Sequence, residues 1–221
     1  DGLRERLKEY AGLGAKFAKW RAVIAIGPHF PGSFSLAANA HALARYAALC
    51  QEAGIVPIVE PEVLMDGDHT IARCEAVTTA ALERTFIELR AHRVDFAGMV
   101  LKPNMVVPGQ DCKQKASVRD VAEATLRCLK ATVPATVPGI AFLSGGQSPE
   151  ESTEHLAVMN TLGALPWQLT FSYGRALQAP SLKAWGGKPE AVKAGQAAFY
   201  KRARLNGLAH AGQYGREMEA A

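Results

Sequence analysis

The chain has 221 residues, of which 48% are hydrophobic and 21% charged, and its formal net charge is +4. These values are typical of a globular protein with a sizeable core. No apolar run approaches the roughly 18 residues of a membrane span, and no charged-then-apolar leader opens the chain, so the sequence argues against membrane insertion and secretion.

The charge pattern favours a small anionic ligand over nucleic acid. The Lys and Arg residues are scattered and interleaved with Asp and Glu, and no basic run with interleaved aromatic residues stands out. A basic pocket for an anionic small molecule therefore explains the excess of positive charge more economically.

The cysteines and histidines indicate neither a disulfide framework nor a metal centre. The cysteines form no CxxC pair, which is typical of incidental thiols in the reducing cytoplasm; they are Cys50, Cys74, Cys112 and Cys128. The six histidines show neither HxxxH nor HxH spacing. We therefore expect no metal site.

Short apolar segments alternate with segments of helical period. The predicted strands cover residues 17–26, 55–60, 96–102, 139–143 and 167–172. The predicted helices between and after them cover residues 35–53, 68–92, 117–131, 148–162, 176–185 and 189–211. This alternation predicts a parallel sheet of βα units.

A TIM (β/α)8 barrel is the predicted α/β fold. Polar residues recur at the carboxyl ends of the strands, where such barrels place their active sites, and no GxGxxG opens a helix as in doubly wound sheets. Five βα units occupy nearly the whole chain, whereas a closed barrel has eight. We expect one domain over residues 1–221: the last five units plus C-terminal helices, with three N-terminal units absent.

Three cationic side chains are candidates for chemistry. Lys102 ends an apolar strand, and burial of an amine there favours the neutral form that attacks a ketone. Lys19 and Arg21 share one side of the first strand and Trp20 the other, so two cations converge near Lys102 if that side faces the barrel mouth. The alternatives are a lysine that reaches out to water and a solvated edge strand.

Two acids, Glu60 and Glu62, come at the end of the second strand. Glu60 is the better acid/base candidate, because a carboxylate beside cations and a carbonyl can move protons during imine formation. Glu62 is expected to hold the lysines in place. Ion pairing without chemistry is the alternative for both.

Two glycine-containing loops follow the last two strands and favour phosphate binding. Glycine lets backbone N–H groups approach an anion, serine adds a hydroxyl donor, and arginine supplies a forked cation. The residues are Ser144, Gly145 and Gly146 in one loop, and Ser172, Gly174 and Arg175 in the other. Structural turns are the alternative.

The chain resembles the class I fructose-bisphosphate aldolases over nearly its whole length. The motifs that match in order and spacing are FAKWR at 17–21, VEPE at 59–62, LKPNM at 101–105, FLSGGQ at 142–147, TFSYGRALQ at 170–178 and KAWGG at 183–187. The resemblance makes Lys102 the imine-forming lysine and Glu60 the proton-transferring acid. It assigns substrate and phosphate contacts to Lys19, Arg21, Glu62, Ser144, Gly145, Gly146, Ser172, Gly174 and Arg175.

The resemblance implies a cytoplasmic, homotetrameric lyase of glycolysis that needs no cofactor or metal. Such an enzyme cleaves fructose 1,6-bisphosphate to dihydroxyacetone phosphate and glyceraldehyde 3-phosphate through a lysine Schiff base. The family's first-strand aspartate, third-strand lysine and C-terminal tyrosine have no counterpart in this sequence. Two alternatives stay open: another Schiff-base barrel aldolase, and a non-catalytic fragment or scaffold.

Overall fold

The computed structural model describes residues 2–220 and contains a five-stranded parallel sheet with helices between its strands. The strands lie side by side in chain order: β1 (Phe17–Ile24), β2 (Val56–Val63), β3 (Val100–Leu101), β4 (Gly139–Phe142) and β5 (Gln168–Phe171). The α-helices are α1 (Leu3–Gly12), α2 (Ser33–Glu52), α3 (Ile71–Ala91), α4 (Val118–Thr132), α5 (Pro149–Thr161), α6 (Arg175–Trp185) and α7 (Val192–His210). Short 3-10 helices cover Phe96–Gly98, Pro189–Ala191 and Arg216–Glu219.

The helices form an outer layer around the sheet. α2 packs against α3, α3 against α4, α4 against α5, and α5 against α7. A parallel sheet whose strands follow chain order, each leading into an outer helix, is the arrangement of a (β/α)8 barrel. The predicted fold class therefore matches the structure, with five consecutive units. Helix α1 precedes the first unit and was not predicted.

Capping boxes fix where two of these helices begin. The Ser117 hydroxyl accepts the N–H of Asp120, whose carboxylate accepts the N–H of Ser117. Ser148 and Glu151 make the same reciprocal pair at α5. Such caps satisfy backbone donors that lack partners inside the helix, so both helices start close to where the sequence predicts.

The core lies between the sheet and the helices. It includes completely buried side chains from strands and helices alike, among them Leu43, Leu129, Ile140 and Phe142. Each such burial contributes about 1.5–3 kcal/mol relative to an exposed side chain. This packing holds the strands rigidly, so that the side chains at their carboxyl ends are fixed relative to one another.

The predicted third strand, residues 96–102, is largely wrong. Phe96–Gly98 forms a 3-10 turn, and only Val100–Leu101 is strand. Side chains satisfy backbone groups of this segment. Gln51 Nε2 from α2 donates to the carbonyls of Asp95 at 2.8 Å and Gly98 at 3.3 Å, and the Asp95 carboxylate accepts a hydrogen bond from the N–H of Ala97 at 3.0 Å. These backbone groups are satisfied without a neighbouring strand, so the ladder begins later.

The register between β1 and β2 aligns charged residues along one face. Lys19 lies opposite Ile58 and Arg21 opposite Glu60, and the pairing continues to Val63, three residues beyond the predicted end of the second strand. Because side chains alternate between the two faces of a sheet, the cations of β1 and the acids of β2 lie side by side on the same face.

The opposite face of β1 packs on a helix. Trp20 stacks edge-on against Tyr46 of α2, with ring centroids 5.7 Å apart. The predicted alternation, with Lys19 and Arg21 on one side of the strand and Trp20 on the other, therefore holds in the structure.

Among residues 2–220, no helix is both long enough and apolar enough to cross a bilayer.

Buried Asn104 ties the chain after β3 to its neighbours. Its Oδ1 accepts the N–H of Val63 at the end of β2 at 3.0 Å. Its Nδ2 donates to Thr78 Oγ1 in α3 at 3.1 Å and to the carbonyl of Met105 at 3.0 Å. One amide thus joins two strand ends and a helix.

We expect Asn104→Ala to destabilise the fold strongly. The substitution leaves the Val63 N–H and the Met105 carbonyl buried without these partners, and each such group costs about 1–3 kcal/mol. Urea unfolding followed by circular dichroism measures the loss. Asn39→Ala, at a half-buried helical position, is the matched control and should change stability by less than about 1 kcal/mol. Equal stability of the two variants would contradict the proposed linking role.

Candidate active site

An ion-pair chain crosses the sheet at the level where the short β3 ends. It joins Lys19 and Glu60, which lie within β1 and β2 and not at their carboxyl ends as expected, to Lys102, which directly follows β3. Lys102 Nζ lies 3.1 Å from Glu60 Oε1, and Lys19 Nζ lies 3.0 Å from Glu60 Oε2. Glu60 is 3% exposed and Lys102 8%, whereas Lys19 reaches solvent. Glu60 Oε2 accepts no hydrogen bond, so its contact with Lys19 is an ion pair only. One buried carboxylate therefore joins the two lysines that the sequence singled out.

A second ion pair lies alongside the first. Arg21 Nε contacts Oε2 of buried Glu62. The expectation that Glu62 holds the lysines is therefore wrong, because the register decides the partners. Each cation of β1 reaches the acid two residues beyond its own register partner: Lys19 reaches Glu60, and Arg21 reaches Glu62.

Backbone bonds place Lys102 beside Glu60 although β3 is short. The N–H of Lys102 donates to the carbonyl of Val59 at 2.8 Å, which continues the ladder one residue past Leu101. On the other side, the N–H of Leu143 donates to the carbonyl of Pro103 at 3.2 Å. The lysine thus projects from backbone that is fixed on both flanks.

The loop after β4 requires its two glycines. Gly145 and Gly146 have φ of +60° and +99°, values that favour glycine. A Cβ on Gly146 would lie 2.6 Å from Gln110 Nε2 and 3.1 Å from Met65 Sδ. The loop therefore packs closely on the loops that follow β2 and β3.

The loop after β5 lies next to the loop after β4. The N–H of Ser172 donates to the carbonyl of Phe142 at 3.0 Å, so the ends of β4 and β5 stay paired. Gly174 caps α6, and exposed Arg175 is the first residue of that helix. The predicted phosphate residues thus occupy two neighbouring loops, one of which opens a helix whose free N–H groups favour an anion.

The loops after β2 and β3 are joined backbone to backbone. The N–H of Gly109 donates to the carbonyl of His69, and that of Gln110 to the carbonyl of Met65, both at 2.8 Å. A Cβ on Gly109 would lie 2.2 Å from the carbonyl oxygen of Gly67, so only glycine allows this approach. Sequence patterns do not predict this contact, because it depends on the strand order and not on local spacing.

A buried histidine supports the serine of the first loop that is predicted to bind phosphate. His155 Nδ1 lies 2.6 Å from Gln147 Oε1, and Gln147 Nε2 donates to the carbonyl of Ser144 at 3.0 Å. Burial lowers the pKa of His155, and the nearby carboxylates of Glu151 and Glu154 oppose that shift. Sequence patterns did not predict this pair either. Gln147 ends the FLSGGQ motif, but His155 carries no local signal.

The fold and the site together define a class: a (β/α)8-barrel protein with a buried lysine–carboxylate centre that crosses adjacent strands of its sheet. A buried amine beside a carboxyl group is suited to covalent addition to a carbonyl carbon.

Comparison with known proteins gives the family. The family model described as fructose-bisphosphate aldolase class-I matches residues 1–221, so the chain belongs to the class I fructose-bisphosphate aldolase family. A relative in Xanthomonas campestris pv. campestris, named probable fructose-bisphosphate aldolase class 1, is 56% identical over 97% of this chain and 64% of its own length. The cytosolic fructose-bisphosphate aldolase 4 of Arabidopsis thaliana is 53% identical over 97% of this chain and 55% of its own length.

A solved structure agrees with the fold. Fructose-bisphosphate aldolase from Plasmodium falciparum, crystallised with TRAP and a small-molecule inhibitor, superposes with a TM-score of 0.95 at 48% identity. The match covers 97% of this chain and 62% of that one. The chain thus spans less than two thirds of the length of these relatives.

We expect His155 to make stability fall in mild acid. Since its pKa is lower in the folded state, the unfolded chain binds more protons below about pH 6.5, and the unfolding free energy decreases as pH falls through that range. The limiting slope is about 1.4 kcal/mol per pH unit for one histidine.

Urea titrations between pH 5 and pH 8 test this effect. His155→Gln should show a shallower dependence on pH than the wild type, while His29→Gln, at an exposed position, should match the wild type. Identical slopes in all three proteins would exclude His155 as the source.

Proposed function

We propose that the protein of which this chain forms part cleaves fructose 1,6-bisphosphate reversibly to dihydroxyacetone phosphate and glyceraldehyde 3-phosphate. The observation that carries the proposal is the buried contact of Lys102 Nζ with Glu60 Oε1 at 3.1 Å. Family membership supports the same reaction and the place of the enzyme in glycolysis.

The first step is addition of the Lys102 amine to the ketone of the substrate. Attack on the ketone requires an uncharged amine with a free lone pair. Lys102 is the more buried of the two lysines that contact Glu60. The amine forms a C–N bond, Glu60 moves the protons, and water leaves to give a protonated imine.

Carbon–carbon cleavage follows from that imine. The hydroxyl on the fourth sugar carbon gives its proton to the Glu60 carboxylate and becomes the carbonyl of the aldehyde product. The bond between the third and fourth carbons breaks, and its electron pair moves into the imine to form an enamine. The aldehyde product leaves first. Protonation of the enamine and hydrolysis of the imine then release the second product and restore the free Lys102 amine.

The two glycine loops hold the phosphates. Ser144, Gly145 and Gly146 take one phosphate, and Ser172, Gly174 and Arg175 take the other. Binding at both ends of the sugar positions the ketone against Lys102 and uses interactions remote from the reacting carbons. Lys19 and Arg21, each paired with an acid of β2, contact the substrate between the two loops.

The catalytic unit extends beyond the five strands described here. A closed barrel has eight strands, and among residues 2–220 β1 and β5 each pair on one side only. We propose that three further strands complete the barrel, and that the enzyme is a cytoplasmic homotetramer acting without a cofactor. The cytosolic relative from Arabidopsis thaliana supports the compartment.

Borohydride trapping tests the proposed nucleophile. Reduction in the presence of dihydroxyacetone phosphate should attach the three-carbon unit to Lys102, as peptide mass spectrometry reports. In the full natural polypeptide, Lys102→Met should lower cleavage below about 0.1% of the wild-type rate, because the covalent route is lost.

Controls separate the nucleophile from other lysines. Lys130→Met, at an exposed position of α4, should retain full activity. Lys19→Met should slow cleavage but still give the adduct at Lys102. EDTA should leave the rate unchanged, because the imine acts as the electron sink. Labelling at another residue would refute the assignment.

The glycine at 146 gives a test of phosphate binding. Gly146→Ala should raise KM for the bisphosphate roughly tenfold, since a displaced loop loses about one charge-assisted hydrogen bond. Gly163→Ala is the matched control: Gly163 also has a positive φ, +109°, but a Cβ there meets nothing within 4 Å. An unchanged KM in Gly146→Ala would remove this loop from the phosphate site.

A further inference from the structure

Three side chains of types that commonly bind metal ions meet between two outer helices. None of them belongs to the proposed catalytic site. His41 lies on α2, Glu88 lies on α3, and His92 directly follows the last residue of α3. One potential ligand atom from each residue lies within 4.8 Å of the other two. The cluster therefore offers two imidazoles and one carboxylate to a single position.

The spacing suits a small tetrahedral cation. His41 Nδ1 lies 3.2 Å from Glu88 Oε2. Two ligand atoms that are each about 2.0–2.1 Å from a tetrahedral Zn²⁺ lie about 3.3 Å apart. The side chain of His41 is 53% exposed, so a cation has access from solvent and the imidazole has room to adjust.

The surrounding groups orient the ligands as in known metal sites. His92 Nδ1 lies 2.9 Å from the backbone carbonyl of Glu88, which can only accept, and 3.9 Å from Glu88 Oε2. With Nδ1 donating to that carbonyl, Nε2 is the His92 nitrogen left for a metal. Arg84 contacts Glu88 Oε1, which leaves Oε2 toward His41. Glu88 and His92 are four residues apart and share one face of the helix.

We propose that His41, Glu88 and His92 form a Zn²⁺ site that links α2 to α3. Two imidazoles and one carboxylate are a donor set that zinc accepts, with water in the fourth position. The site is separate from the lysine chemistry, and its role is to hold two neighbouring helices together.

Zinc titration of the full natural polypeptide tests the site. Untagged protein is first dialysed against EDTA and then titrated with ZnCl₂ by calorimetry. We expect saturable binding of one Zn²⁺ per chain, weakened at least tenfold in His41→Ala and again in His92→Ala. His29→Ala, an exposed histidine outside the cluster, should bind as the wild type does. Equal affinity in all four proteins, or no saturable binding in the wild type, would overturn the proposal.

Two further measurements exclude a folding artefact. In EDTA, His41→Asn and the wild type should have the same Tm, because His41 is largely exposed; added Zn²⁺ should raise only the wild-type Tm. Co²⁺ should give the intense visible absorption of a tetrahedral site, and an octahedral aqua-like spectrum would contradict the donor set. An unchanged cleavage rate in EDTA would distinguish this site from the proposed lyase centre.

Discussion

The carboxylate of Glu60 is the group on which the geometry of the site depends. An isolated charge as deeply buried as this one would cost several kcal/mol, and amines from the strands on both sides compensate for it. The three strands therefore have to pair in one register for the charges to meet. Side-chain electrostatics and backbone pairing specify the same arrangement, which holds Lys102, the proposed nucleophile, in one position beside Glu60.

The loops around this centre depend on backbone contacts more than on side chains. Loops after β2, β3 and β4 touch at Gly109 and Gly146, where a larger residue would collide with a neighbour. Asn104 replaces a missing stretch of ladder beyond the two-residue β3 with side-chain hydrogen bonds. These contacts hold the loops around the short β3 in fixed positions. The residues proposed to bind substrate can therefore be positioned without a long third strand.

Much of this architecture is predictable from local patterns. The period of hydrophobic residues along the sequence predicts the strand–helix alternation and places Lys19 and Trp20 on opposite faces of β1. The roles of the site residues, in contrast, were predicted from the resemblance to family motifs. Two of the errors arise from contacts between residues distant in sequence: Gln51 satisfies backbone groups ahead of β3, and the register gives Glu62 to Arg21. His41 and His92 also meet from two different helices, so a search for short histidine spacings does not detect their contact.

The paired register of β1 and β2 also bears on how this sequence can change. Because Lys19 and Arg21 meet their acids only at alternate positions of β1, inserting one residue between them would turn one of the two cations toward the helices while the acids of β2 stay in place. The same change in the connection between α2 and β2 leaves the alternation intact. Length variation is thus tolerable between the elements, whereas within these two strands it would eliminate at least one ion pair.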